Sequence, residues 1–379
     1  MVRARVARTE TEKPTEARRG PKARRAIRRP PPAPPEYILW EVSRDCPLGC
    51  GTCRHASLPV GSSKGLTTDE AVRFIDSIAH SFQTNLIFSG PEPLVRADLF
   101  DLADYARTRN IGVVLATNAT QFDVKAARKA VEVKIRQLEI YLDGSSGRSH
   151  DGFRSCPAGF TQTVKGLELC KLAGIRYRIS TTVTKQNFRD IPKIMGLAQK
   201  LGASGYNLFF DIPCGRGVLF PEDLLSDQEA MESLSWVFEQ ETKYPGYVRL
   251  FCSPQYERVY RQRASELPDS MNPFRPGTEH RYVDHGCPAA RKFIFVAHDG
   301  YVYPCPYLLQ PAGNVVEQPL KEIWETSEIL TQLRDTDATG GKCHRCKFLV
   351  DCRGCRALAM REHKDPMAED PACRYIPGE

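Results

Sequence analysis

With 379 residues, 41% of them hydrophobic, the chain is long enough for two to three domains around a large buried core, which excludes a disordered or fibrous protein. No stretch approaches the roughly 18 apolar residues of a membrane helix, and the N-terminus lacks the apolar middle of a secretory signal, so no membrane contact and a reducing cytoplasm are expected. The net charge of +7 is concentrated: residues 1–30 carry eleven Lys and Arg against three Glu, and the remainder is close to neutral.

The basic segment runs on through Pro30, Pro31, Pro32, Pro34 and Pro35. Residues 1–36 therefore read as a disordered, solvated, Pro-rich tail. Nucleic-acid binding is disfavoured, because the charge does not extend into the folded part.

From Tyr37 onward, short runs rich in β-branched and aromatic residues alternate with stretches of helical period. The expected strands are Ile38 to Val42, Asn85 to Ser89, Gly112 to Thr117, Leu138 to Leu142, Tyr177 to Val183 and Tyr206 to Phe210. Helices are expected at about Thr67 to Ser81, Ala97 to Arg109, Val124 to Val131, Phe160 to Ala173 and Asp190 to Leu201. Thr67 followed by Glu70 fits a capping box. Six strands with helical crossovers predict an α/β fold with a parallel sheet or open barrel over 37–211, whose chemistry gathers after the strand ends. Residues 212–286 read as a linker and completing helices, including one from Ser226 to Glu241. From Cys287 a small module (287–379) begins, with a hairpin of Phe293 to Val296 and Tyr301 to Tyr303.

Fourteen cysteines in a cytoplasmic chain point to metal or catalysis before disulfides. Cys46, Cys50 and Cys53 place three thiols within eight residues in a Gly- and Pro-containing loop after the first strand. Thiolates select soft metals or iron-sulfur clusters, and a four-iron cluster with three protein ligands keeps one iron open. The alternative is a zinc site completed by a residue such as His55.

The C-x3-C-x2-C spacing resembles that of the radical S-adenosylmethionine (SAM) enzymes, and the resemblance runs from about Tyr37 to Phe210. It implies a partial (β/α)6 TIM-like barrel with a [4Fe-4S] cluster on Cys46, Cys50 and Cys53. In that family the cluster cleaves SAM to a 5′-deoxyadenosyl radical that abstracts a substrate hydrogen. Ser89-Gly90-Pro91-Glu92-Pro93 is similar to the family's Gly-Gly-Glu-Pro segment, Thr117-Asn118-Ala119-Thr120 to its Thr-Asn-Gly-Thr turn, and Asp143-Gly144 with Arg154 to the stretch after the fourth strand. The resemblance thus implies Gly90, Glu92, Asn118, Asp143 and Arg154 as SAM-binding residues. Pro91 departs from the pattern by removing a backbone donor. No catalytic side chain is assigned beyond the cluster.

The order Cys287, Gly300-x4-Cys305, Cys343-x2-Cys346-x5-Cys352-x2-Cys355, Cys373 could by itself be a zinc ribbon. Behind a radical SAM core it resembles the SPASM extension, which binds one or two auxiliary [4Fe-4S] clusters. The resemblance implies one cluster on Cys343, Cys346, Cys352 and Cys373, and another on Cys287, Cys305 and Cys355. The second set is one ligand short: either an iron is open to substrate or another side chain fills the position, and Cys252 is the candidate filler. Cys170, on a helix, reads as a buried core thiol.

The segments around Pro213 to Gly217, Cys252 to Tyr256, Ile323-Trp324 and Cys343 to Ala357 resemble the SPASM enzymes of haem d1 and alternative haem biosynthesis. The implied function is that of an oxidoreductase removing acetate or propionate carboxyl fragments from a tetrapyrrole, with an electron donor such as ferredoxin or flavodoxin. Arg216 is a candidate partner for a substrate carboxylate. The competing readings are a maturase acting on a ribosomally made peptide and a non-enzymatic iron-sulfur or zinc protein that binds nucleic acid.

Overall fold

The computed structural model describes residues 31–51, 53–54, 64–214, 221–241, 243–244, 246–275 and 284–378. The basic tail over 1–30, His55 and Arg216 lie outside the described residues. Pro32–Glu379 form one compact unit.

Six strands stand within a residue of their expected bounds: β1 (Tyr37–Glu41), β2 (Asn85–Ser89), β3 (Gly112–Thr117), β4 (Gln137–Tyr141), β5 (Tyr177–Val183) and β6 (Gly205–Phe210). Between them run α1 (Thr68–Ala79), α2 (Leu99–Thr108), α3 (Val124–Glu132), α4 (Gly147–Arg154), α5 (Gly159–Leu172) and α6 (Ile191–Leu201). The capping box forms: the Glu70 carboxylate accepts from the Thr67 N–H at 2.8 Å, and the Glu70 N–H donates to the Thr67 hydroxyl at 3.3 Å. Ala71, Phe74, Ile75 and Ile78 give α1 one buried face. Trp40 of β1 is fully buried, with Phe74 and Phe88 edge-on to it at 5.4 Å each. Truncating Trp40 to alanine would cost about 3–5 kcal/mol.

The stretch read as linker and helices holds a seventh parallel strand, β7 (Tyr247–Phe251), ahead of which lies α7 (Asp227–Glu241) and behind which lies α8 (Tyr256–Arg263). Its buried Val248 and Leu250 alternate with half-buried Tyr247, Arg249 and Phe251, and it pairs with β6 along its whole length. Five residues with a central arginine are too short a run to stand out among the prolines around it.

The late module contributes β8 (Phe293–Val296), β9 (Tyr301–Tyr303) and β10 (Gly313–Asn314), then α9 (Leu320–Thr326), α10 (Glu328–Arg334), α11 (Gly341–His344), α12 (Leu349–Cys352) and α13 (Arg356–His363). All ten strands form one sheet in the order β10-β9-β8-β1-β2-β3-β4-β5-β6-β7. β8 lies parallel to β1, with Leu39 opposite Phe295, so the hairpin of the cysteine-rich module continues the sheet beside the strand that leads into the first cysteine loop. The parallel run from β8 through β1 to β7 aims the chain after each of these strands at one edge, where cofactor sites of α/β sheets form.

Candidate active site and metal centres

Cys46, Cys50 and Cys53 follow β1 in a loop with little regular structure, where Pro47 and Gly49 let the chain turn back on itself. The Leu48 N–H donates to the Cys46 sulfur at 3.4 Å, and the Cys53 N–H to the Cys50 carbonyl at 3.3 Å. Two neighbouring elements point side-chain donors at these sulfurs. Asn118 Nδ2, after β3, stands 4.0 Å from Cys46, and Arg154 Nη1, at the end of α4, stands 3.9 Å from Cys50. Such donors stabilise thiolates and tune a metal centre held by them.

Gly90 is required by its own geometry. Its φ is +134°, and a Cβ there would lie 2.4 Å from the Ser43 carbonyl oxygen, so the chain leaving β2 packs against the chain leaving β1. Two residues on, Glu92 is fully buried. Its Oε1 accepts from the Leu94 N–H at 3.0 Å and the Thr117 hydroxyl at 2.7 Å, and its Oε2 from the Asn118 N–H at 3.0 Å. Burial pushes this carboxyl up while those hydrogen bonds pull it down, with the net effect upward. Three donors leave room on the carboxylate for one more.

Asp143 is also fully buried, and its carboxylate is committed within the fold. One oxygen accepts from the Thr182 N–H at 2.7 Å, and the other is ion-paired with Arg154. Burial opposes the charge of Arg154, but Asp143 and the Cys50 sulfur outweigh it and hold the guanidinium above its ordinary pKa. Asp143 therefore acts on the site through Arg154. The α4 helix that carries Arg154 was not expected, since Gly147-Arg-Ser-His-Asp-Gly152 is poor helical sequence. A Ser146–Ser149 capping box starts it.

The late thiols gather in two groups. In the first, Cys252 feels Cys305 and Cys287, Cys305 feels Cys287, and Cys355 feels both Cys287 and Cys252. Cys252 follows β7 in the left-handed region, at φ +62°. In the second group Cys352 feels Cys373 and Cys343, and Cys346 lies one turn from Cys343, its N–H donating to the Cys343 carbonyl at 3.1 Å. Short bonds join the groups, for the Cys287 N–H donates to the Cys352 carbonyl at 3.0 Å. Between them lies Asp370, 1% exposed, with the buried Arg356 among the charges around it. Cys170 is fully buried in the main core, as expected.

All fourteen cysteines are free thiols. Burial pushes Cys46 and Cys305 each up to about 12, so a soft metal that binds them must displace protons. Four sulfurs around one tetrahedral zinc would lie roughly 3.8 Å apart, given Zn–S bonds of about 2.3 Å. Among the described residues, no three Cys, His, Asp or Glu side chains converge to such a single-ion site. Grouped thiols of this kind fit iron-sulfur clusters, in which each sulfur binds a different iron.

Several residues at this edge were given no role from sequence. Arg54 directly follows Cys53 and stacks on Phe295, with its Cζ 4.9 Å from the ring centroid. Asp211 and Cys214 follow β6, and Tyr307 follows Cys305. Burial, with Asp223 nearby, pushes the Asp211 carboxyl up to about 6. Burial also pushes the Cys214 thiol up to about 12, and that thiol feels both Arg54 and Cys53. Half-buried Arg and Asp residues in loops carry no sequence signal of their own.

Comparison with known proteins agrees with this geometry. Residues 40–198 match the family described as the radical SAM superfamily, and residues 287–347 match SPASM, an iron-sulfur cluster-binding domain. The chain is 38% identical over 344 residues to the AdoMet-dependent heme synthase of Methanosarcina barkeri, which spans 91% of this chain and 97% of that protein. To the protein of the same name from Nitratidesulfovibrio vulgaris it is 34% identical, over 90% and 93% of the two chains. Among solved structures, SuiB of Streptococcus suis bound to S-adenosylmethionine shares the fold at a TM-score of 0.69 and 16% identity, over 90% of this chain and 78% of that one. The protein is an enzyme whose cofactors are [4Fe-4S] clusters and SAM. It belongs to the radical SAM superfamily, in the SPASM-bearing family that includes the AdoMet-dependent heme synthases.

Proposed function

We propose that the chain is a heme synthase, which removes carboxyl fragments from the acetate or propionate side chains of a tetrapyrrole. The observation that carries this reading is the 38% identity to a heme synthase across nearly the whole of both chains. When bound, the cluster on Cys46, Cys50 and Cys53 with SAM supplies a 5′-deoxyadenosyl radical, an oxidant able to take a hydrogen atom from an unactivated side chain.

The chain's own residues bind and orient. Glu92, buried with a lone pair to spare, receives the amino group of SAM beside Gly90, where close packing brings the backbone within reach. Asn118 and Arg154 sit against the sulfurs of Cys46 and Cys50, and Asp143 fixes Arg154 in place. The first late thiol group, Cys252, Cys287, Cys305 and Cys355, would hold an auxiliary cluster with four protein ligands. Cys343, Cys346, Cys352 and Cys373 would hold the other. A ferredoxin- or flavodoxin-type protein delivers the electron that starts each turnover.

Anaerobic reconstitution with iron and sulfide, followed by SAM, a reductant and one of three substrates, tests the reading. Iron coproporphyrin, a siroheme-type tetrapyrrole and a precursor-type peptide are the three. Heme and 5′-deoxyadenosine formed from iron coproporphyrin support it, whereas 5′-deoxyadenosine formed only with the peptide contradicts it.

A further inference from the structure

We propose that Arg54 is the substrate-anchoring residue that takes a side-chain carboxylate of the tetrapyrrole, its guanidinium held over the ring of Phe295. The inference rests on the tetrapyrrole reading above and names the residue that would recognise such a substrate.

Among the described residues Arg54 makes no ion pair or hydrogen bond, and its Cζ lies over the Phe295 ring, 4.9 Å from the centroid. The other arginines near this edge are placed differently. Arg154 is ion-paired with Asp143, and Arg361 of α13 bears on Asp211. Phe295 is itself only 2% exposed and is fixed in β8 beside β1, so it offers a rigid platform. A guanidinium that lies over a ring and spends no N–H on the protein around it keeps its donors for a ligand, and its planar fork can grip a carboxylate with two parallel hydrogen bonds.

The position suits the chemistry. Arg54 is the residue next to Cys53, so whatever it grips lies beside the loop that carries the first cluster. Its charge also reaches Tyr141 at the end of β4, Cys214 after β6, and Cys305 and Tyr307 in the late module. With Arg54 these residues come from four separate segments, and all are half-buried. Partial exposure combined with burial strong enough to push Tyr141 up to about 12 describes the wall of a concave site. Half-buried Tyr141 and Tyr307 add aromatic surface, so a flat aromatic ligand bearing carboxylates matches both features of the wall.

The test is equilibrium binding of metal-free coproporphyrin to the reconstituted enzyme, read by quenching of porphyrin fluorescence, with esterified coproporphyrin as the uncharged control. Arg54→Gln should weaken coproporphyrin binding roughly ten- to hundredfold, Arg54→Lys should fall between, and neither should change iron content or SAM binding. The ester should bind Arg54→Gln and the native enzyme alike. Native-like affinity of Arg54→Gln for coproporphyrin overturns the assignment of Arg54 and leaves the tetrapyrrole reading standing. Loss of iron from both variants also overturns it, because Arg54 would then serve the cluster loop. Failure of the native enzyme to bind any coproporphyrin overturns the tetrapyrrole reading, and this inference falls with it.

Discussion

Asp370 joins the two late thiol groups: its carboxylate accepts from the Cys355 N–H at 2.7 Å, while its own N–H donates to the Cys343 sulfur at 3.4 Å. A second oxygen contact, from the Ala372 N–H at 3.0 Å, leads into the segment that carries Cys373. One buried side chain thus sets the separation of ligands that belong to different proposed clusters.

Asp370→Ala leaves the N–H groups of Cys355 and Ala372 without their acceptor, at a cost on the order of 2–4 kcal/mol. Iron bound by the late cysteines should fall while the cluster on Cys46, Cys50 and Cys53 remains. Iron per chain and the paramagnetic resonance spectrum of the reduced protein check this. An unchanged auxiliary signal would show that Asp370 is dispensable.

Cys252→Ala and Cys170→Ala form a matched pair. The first should lower auxiliary iron or change its resonance signal, because it removes a proposed ligand. The second removes a fully buried core sulfur, so it should keep all iron and lose roughly 1 kcal/mol of stability. Equal iron in the two variants would remove Cys252 from the ligand set.

Glu92→Gln replaces an acceptor of three donors with a group that must turn an NH2 toward one of them. SAM affinity should drop about tenfold or more, with iron content retained. Calorimetric titration of the reconstituted enzyme measures both arms of the comparison, and native SAM affinity in the variant would exclude Glu92 from the site.

Stability should depend on pH through Glu241, which lies at the end of α7 with His285 Nε2 3.6 Å away. Burial pushes its carboxyl up to about 8 from an ordinary value of 4.5. The folded state therefore keeps a proton that the unfolded chain has released. The contribution is fully present below pH 4.5 and is lost as pH rises toward 8. Burial pushes His285 down to about 3 from 6.5, which affects stability only on the acid side of that upper value. From pH 6.5 to 8, Glu241→Gln should lose less melting temperature than the native enzyme. Parallel melting curves across that window would contradict the shift.

The sequence carried the parts of the fold that rest on local periodicity. Strands such as Gly112–Thr117 are runs of β-branched residues between turn signals, and α1 announces itself with Thr67, Glu70 and a buried face. What depends on distant partners did not show: β7 is a strand because β6 lies beside it, and the hairpin strand expected over Phe293 to Val296 gave no sign that it would join the main sheet beside β1. The site divides in the same way. Closely spaced cysteines and the Gly90–Glu92 turn are visible as motifs, and Cys252 was expected from the missing ligand alone. Asp370, Arg54 and Asp211 gain meaning only from what folding brings next to them, and no spacing rule reports that.

The most direct test of the account is the product of a single anaerobic incubation: reconstituted enzyme, SAM, a low-potential reductant and iron coproporphyrin, analysed by mass spectrometry. The account predicts heme, with 5′-deoxyadenosine and methionine formed in step with the loss of carboxyl fragments. Iron coproporphyrin recovered intact from enzyme that binds SAM and carries all its clusters would contradict it.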